Sequence, residues 1–212
     1  MPACGLAVAC ILLGAAWLGL APRSSGFGFL GHMTMHVTVI ALAAPIGAVS
    51  LAGTRWDPTP QAPVLFAPML AAVLELVVVW GWHAPALHFA ARTSPAVLAL
   101  EQASFLAAGL LVWLAAFGKG AARGFGGAGA GIFALFLTSM HMTLLGALLA
   151  LSPRPLFDPA ICGVGSLGAL EDQHVGGVLM LLVGGASYLA GALVLTARVL
   201  REPGISLRER SR

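Results

Sequence analysis

Charge is scarce in this sequence: only 9% of its 212 residues are charged, 11 Lys and Arg against 8 Asp and Glu. Hydrophobic residues make up 59% and the mean hydropathy is +0.94. A soluble domain cannot bury that much apolar side chain, so lipid must take the excess. Cysteine is scarce as well. Cys4, Cys10 and Cys162 include no CxxC pair, which removes both a disulfide framework and a thiolate zinc site. Apolar-polar alternation is missing: the apolar runs are continuous, and of the two structures that satisfy the backbone in lipid this leaves helices rather than a barrel. Basic residues are scattered singly except at the C-terminus. The net charge of +3 and the pI near 9.1 therefore mark membrane topology and not nucleic-acid binding. Neither an internal repeat nor room for a soluble domain is visible.

What is present is an all-α integral membrane pattern, a bundle of about six transmembrane helices forming a single polytopic domain over residues 1–212. The predicted spans are about 3–21, 27–50, 64–82, 97–117, 132–151 and 175–200. Residues 1–21 read as a span rather than a signal peptide, because no basic residue precedes them and Pro22 follows directly. The connections 53–63, 118–131 and 152–174 are rich in Gly and Pro. Alternating the spans puts Arg55, Lys119, Arg123, Arg198, Arg201, Arg208, Arg210 and Arg212 on one side and Arg23, Arg92 and Arg154 on the other. This bias of eight to three places the C-terminus in the cytoplasm.

The rare polar residues then collect in the outer half. His32, Met35 and His36 open the second span at i, i+3 and i+4, sharing a helix face with His36 about 13 Å below the span's start. Trp80, Trp82 and His83 close the third span, and His88 is expected in the external loop. Glu101 and Gln102 follow the outer end of the fourth. Met140, His141 and Met142 lie about 15 Å inside the fifth. Glu171, Asp172, Gln173 and His174 end the last external loop, with Met180 shortly beyond. All six histidines thus fall in the outer half or the outer loops. Ionisable groups in hydrocarbon are costly and mark transport, proton transfer or metal binding. Imidazole with thioether and no thiolate pair suits copper, cuprous ion above all.

Bland readings stand beside these. Methionines fill gaps, a Trp-His-x-Pro turn can simply anchor a helix, and His174 fits a loop contact. Glu75 reads as a hydrogen-bonded structural carboxyl. Cys162 reads as incidental, and the pairs Gly176-Gly177 and Gly184-Gly185 as close-packing points.

In their order these motifs resemble the polytopic CtaG-type cytochrome c oxidase assembly factors, from about residue 30 to residue 200. The resemblance rests on His32-x3-His36, Trp82-His83-x-Pro85, Glu101, the His141 region, Pro155 to Asp158, and Asp172-Gln173-x-x-Gly176 with Met180. It implies a role in maturing haem-copper oxidases by helping copper reach the enzyme, and no catalysis. Where that family tends to carry a Glu-His pair, this chain has Glu101-Gln102, one candidate ligand fewer.

The expectation is thus a multi-pass protein of the bacterial inner membrane that binds copper in its periplasmic half. His32, Met35, His36 and His141 would form the site, with His83, His88 or Asp172 guarding entry. Its partners would be membrane lipid and an oxidase subunit or a periplasmic copper donor. An electron-transfer protein holding haem between His36 and His141 is the alternative. A copper permease ranks third, because the inner half offers almost no polar groups.

Overall fold

The computed structural model describes residues 2–20, 28–120, 125–158 and 167–201. The described elements are helical throughout. α1 (Pro2–Gly14) continues into a π-helical turn, Ala15–Leu20. α2 (Gly28–Val37), a second π-helical turn (Thr38–Ala43) and α3 (Ala44–Leu51) make one continuous span. α4 (Pro68–Trp82) is followed by a short α5 (Pro85–Thr93) bent 71° away from it. α6 (Pro95–Phe117) and α7 (Phe125–Ala150) come next. α8 (Ala169–Leu179), a third π-helical turn (Met180–Gly184) and α9 (Gly185–Arg201) end the described chain. Five helices are long and apolar enough to cross a membrane, six if the bent α4–α5 pair counts as one span. This is a multi-pass helical membrane bundle.

Several expected boundaries move: the fifth span already starts at Phe125 instead of about 132, and two further differences have identifiable reasons. The third span holds only 15 helical residues before it breaks. Pro85 holds Ala84 in an extended conformation (ψ 133°) and its fixed φ starts α5. His88, expected in a loop, is therefore helical and buried. The last span starts at Ala169 instead of 175, so Glu171 to His174 form its first turns. Their side chains have work there. Gln173 accepts from the Leu156 amide at 2.7 Å and donates to the Leu149 carbonyl at 3.2 Å, and the His174 ring bonds the Ser152 carbonyl at 2.9 Å. Cys162 lies outside the described residues.

The π-helical turn in the second span has a sequence cause. Pro45 has no amide hydrogen and its ring crowds the carbonyl four residues back, Ala41. The Ala44 amide reaches back five residues to Val39, which also leaves the Ile40 carbonyl without its helical partner. In lipid such carbonyls must find donors. Ser187 donates to Ala41 at 2.7 Å and Tyr188 to Ile40 at 3.3 Å, both from α9. The same Tyr188 hydroxyl meets Glu75 of α4, so its single proton is shared between the two acceptors. One buried polar knot thus joins three helices. Elsewhere the bundle closes through small residues. A Cβ on Gly146 would lie 2.7 Å from the Leu181 amide nitrogen, and one on Gly177 would lie 2.6 Å from that of Ala150, so α7 crosses α8 backbone to backbone.

At the end of the bundle that holds the α3–α4 loop, Asp57 organises the connections. It accepts from the Thr59 hydroxyl at 2.6 Å and from the amides of Gly53, Thr59 and Lys119 at 2.8, 3.0 and 2.6 Å. Burial alone would raise the Asp57 pKa; the Thr59 hydroxyl and these amides outweigh it and hold the carboxyl below its usual range. The stabilisation is therefore complete above the ordinary aspartate pKa of about 4 and declines as pH falls toward the lower folded value. Asp57→Ala should cost about 1–3 kcal/mol at neutral pH by orphaning buried donors. Thermal unfolding in detergent should show that difference shrinking below pH of about 4.

Candidate metal centre

The α2 helix that carries His32 and His36 starts under tertiary control. Gly28 has φ +66°, a left-handed conformation that favours glycine, and the next two amides point at α8. Asp172 accepts both, from Phe29 at 2.5 Å and Leu30 at 3.3 Å. A carboxylate at a helix N-terminus satisfies orphan amides and favours the dipole. Asp172 therefore fixes the depth and rotation of α2, and in this geometry its oxygens are committed to backbone.

Four histidines from two helices and one helix end then meet. His32 and His36, one turn apart on α2, stack at 6.3 Å between ring centroids. His83, the residue that ends α4, lies 5.3 Å from His36 and 6.3 Å from His32. His88 of α5 lies 4.8 Å from His32. Glu101 of α6 completes the set: one ligand atom each of His32, His88 and Glu101 lie within 4.8 Å of one another. All five side chains are at most 7% exposed. Phe29 and Phe157 close over His88 and Phe105 packs on His36.

The donor chemistry suits a metal. The His83 Nδ1 bonds the Val79 carbonyl at 2.6 Å. A carbonyl can only accept, so Nδ1 carries the proton and Nε2 keeps its lone pair, the orientation that metal-ligating histidines commonly receive from a backbone carbonyl. That Nε2, both ring nitrogens of His32 and of His36, and Glu101 Oε1 have no hydrogen-bond partner among the described residues. Leaving such groups unmatched costs about 1–3 kcal/mol each, and here they lie together in one place. The other carboxylate oxygen, Glu101 Oε2, accepts from Arg92 at 2.8 Å and from Gln102 at 3.1 Å, and lies 3.9 Å from His32 Nδ1.

The expected site is thus regrouped. His32 and His36 stand at its centre, and His83 and His88 belong to the same cluster. His141 is buried on α7 and its ring nitrogens lack partners, but its ring contacts none of the described histidines. Met35 is fully buried in the hydrophobic core, and Asp172 caps α2. Glu101 and Arg92 enter the cluster from outside the expected ligand set. Glu101 had a signal, a carboxyl just inside the outer end of an apolar span. Arg92 had none beyond being a loop charge.

The sequence profile of the cytochrome c oxidase caa3 assembly factors (Caa3_CtaG) matches residues 5–202. The chain belongs to this family. No curated protein and no solved structure matches it. For a caa3 assembly factor the buried imidazole cluster is the feature that calls for a function, since assembly alone requires no ionisable group inside a bundle.

Proposed function

We propose that this assembly factor receives a cuprous ion from the periplasmic side, holds it among His32, His36, His83, His88 and Glu101, and passes it to a haem-copper oxidase subunit. The observation that carries the reading is a set of four buried imidazoles in ring contact, two of which, His32 and His88, converge with Glu101, with the His83 Nε2 left free by the bond from Nδ1 to a backbone carbonyl. Neutral nitrogen donors suit copper, and an oxidase assembly factor has a copper acceptor to serve. The eight-to-three bias of Lys and Arg supports a periplasmic position for the histidine end. A metal held by several imidazoles without thiolate can leave one ligand at a time, and exchange with an acceptor's own ligands then moves it without chemical turnover. The haem reading has less support, because the imidazoles that cluster are His32, His36, His83 and His88, in contact with one another, and His141 is not among them.

Anaerobic cuprous loading followed by gel filtration tests this. The purified protein should retain about one copper per chain, as a single shared ligand cluster dictates, and show no Soret band. A red protein with a low-spin haem spectrum, or one from which all copper washes away, would overturn the reading.

A further inference from the structure

Arg92 is the one guanidinium in contact with the imidazole cluster among the described residues. Its side chain is 6% exposed, its Nη2 lies 2.8 Å from Glu101 Oε2, and its Nε has no hydrogen-bond partner. The pair sums to zero charge at the point where metal ligands converge. A metal entering with Arg92 in place would add its full charge to a dry site, and burying net charge is expensive. If the guanidinium leaves as the metal arrives, a monovalent ion restores neutrality, whereas a divalent ion leaves one charge in excess.

The fold makes that exit feasible. Arg92 sits in the last turn of α5, a nine-residue helix set off from α4 by the 71° bend and ending at Ser94. The long arginine stem can carry its head toward the membrane surface while its methylenes stay in apolar surroundings. Glu101, by contrast, is fixed in the 23-residue α6 and held by Gln102.

On the reading that this cluster binds copper, we infer that Arg92 is a resident counter-ion: it neutralises Glu101 in the metal-free protein and is exchanged, charge for charge, for a monovalent metal. Arg92 is thus a counter-ion and not a ligand, and it lowers the apparent metal affinity by the cost of its departure. The preference for a monovalent ion over a divalent one such as zinc rests on the single charge of Glu101.

Two measurements test this on the whole protein. In competition with a chromophoric cuprous chelator, Arg92→Gln should raise cuprous affinity at least about tenfold, because Glu101 then stands uncompensated and no guanidinium has to leave. Arg92→Lys, which keeps the resident charge, should stay close to the wild-type affinity. A cuprous affinity in Arg92→Gln within about twofold of wild type, less than half a kcal/mol, would overturn the inference. The second measurement needs no variant: phenylglyoxal labelling followed by mass spectrometry should modify Arg92 in the cuprous-loaded protein and leave it protected in the metal-free protein. Copper binding with Arg92 equally protected in both forms would overturn the exchange and leave the copper site standing. Failure of the wild type to bind cuprous ion at all would overturn both.

Discussion

His36→Ala and His83→Ala are each expected to lower cuprous affinity at least about 100-fold, the loss that even outer partners of a metal site can cause. His141→Ala is expected to leave it within about twofold, since that ring contacts none of the clustered histidines. His36 stands between His32 and His83 with both ring nitrogens unpartnered, so no structural hydrogen bond is lost on its removal. His83 differs in one respect. Its ring also bonds the Val79 carbonyl, which the His83 amide bonds as well, so its alanine variant removes one of the two donors to that helix-end carbonyl. Equal copper losses in both variants, with a stability loss confined to His83→Ala, would separate ligation from capping. Competition with a cuprous chelator under anaerobic conditions reads the affinities. A loss in His141→Ala as large as in His36→Ala would move the site to a different set of helices.

Gly146→Leu is expected to be among the most damaging apolar substitutions in the bundle. Its Cβ would sit 2.7 Å from the Leu181 nitrogen and 2.8 Å from the Gly177 carbonyl. Both are backbone atoms of the facing span, so no side chain can rotate aside, and the helices must separate. Overpacking at such a crossing costs about 3 kcal/mol, near the upper end of the usual range. The consequence reaches the histidines, because α8 carries Asp172, the cap that sets α2. Gly129 on the same helix is the control: a Cβ there meets nothing within 4 Å. Gly129→Ala should be neutral or stabilising by up to about 1 kcal/mol, the helix-propensity gain. Thermal unfolding in detergent, followed by circular dichroism, distinguishes the two.

Much of this architecture is legible in the sequence, and the rest is hidden for physical reasons. Long apolar runs fix how many helices cross, since lipid leaves few alternatives. The spacing of His32 and His36 fixes their common face, because one helical turn does so anywhere. Periodicity gives depth along a helix but not the direction in which a residue faces its neighbours. His141 is expected at nearly the depth of His36, yet its ring touches none of the clustered histidines, whereas Glu101, expected nearer its span's end, joins them. The Ala84–Pro85 break is visible as a proline, but the 71° bend that brings His88 and Arg92 over the site depends on α6 packing beneath them. Asp172 is a further case: an acidic residue near a span's outer end reads as a ligand as readily as a cap until the amides of Phe29 and Leu30 are seen against it.

The central claim is that the imidazole cluster of this assembly factor supplies the oxidase with copper. The most direct test is the copper-to-haem ratio of the caa3-type oxidase purified from cells carrying the His32→Ala/His36→Ala double variant, with the variant present in the membrane at the wild-type level. The account predicts an oxidase that holds its haem, is depleted of copper and recovers when the medium is enriched in copper. A full copper complement in the oxidase from those cells would contradict it.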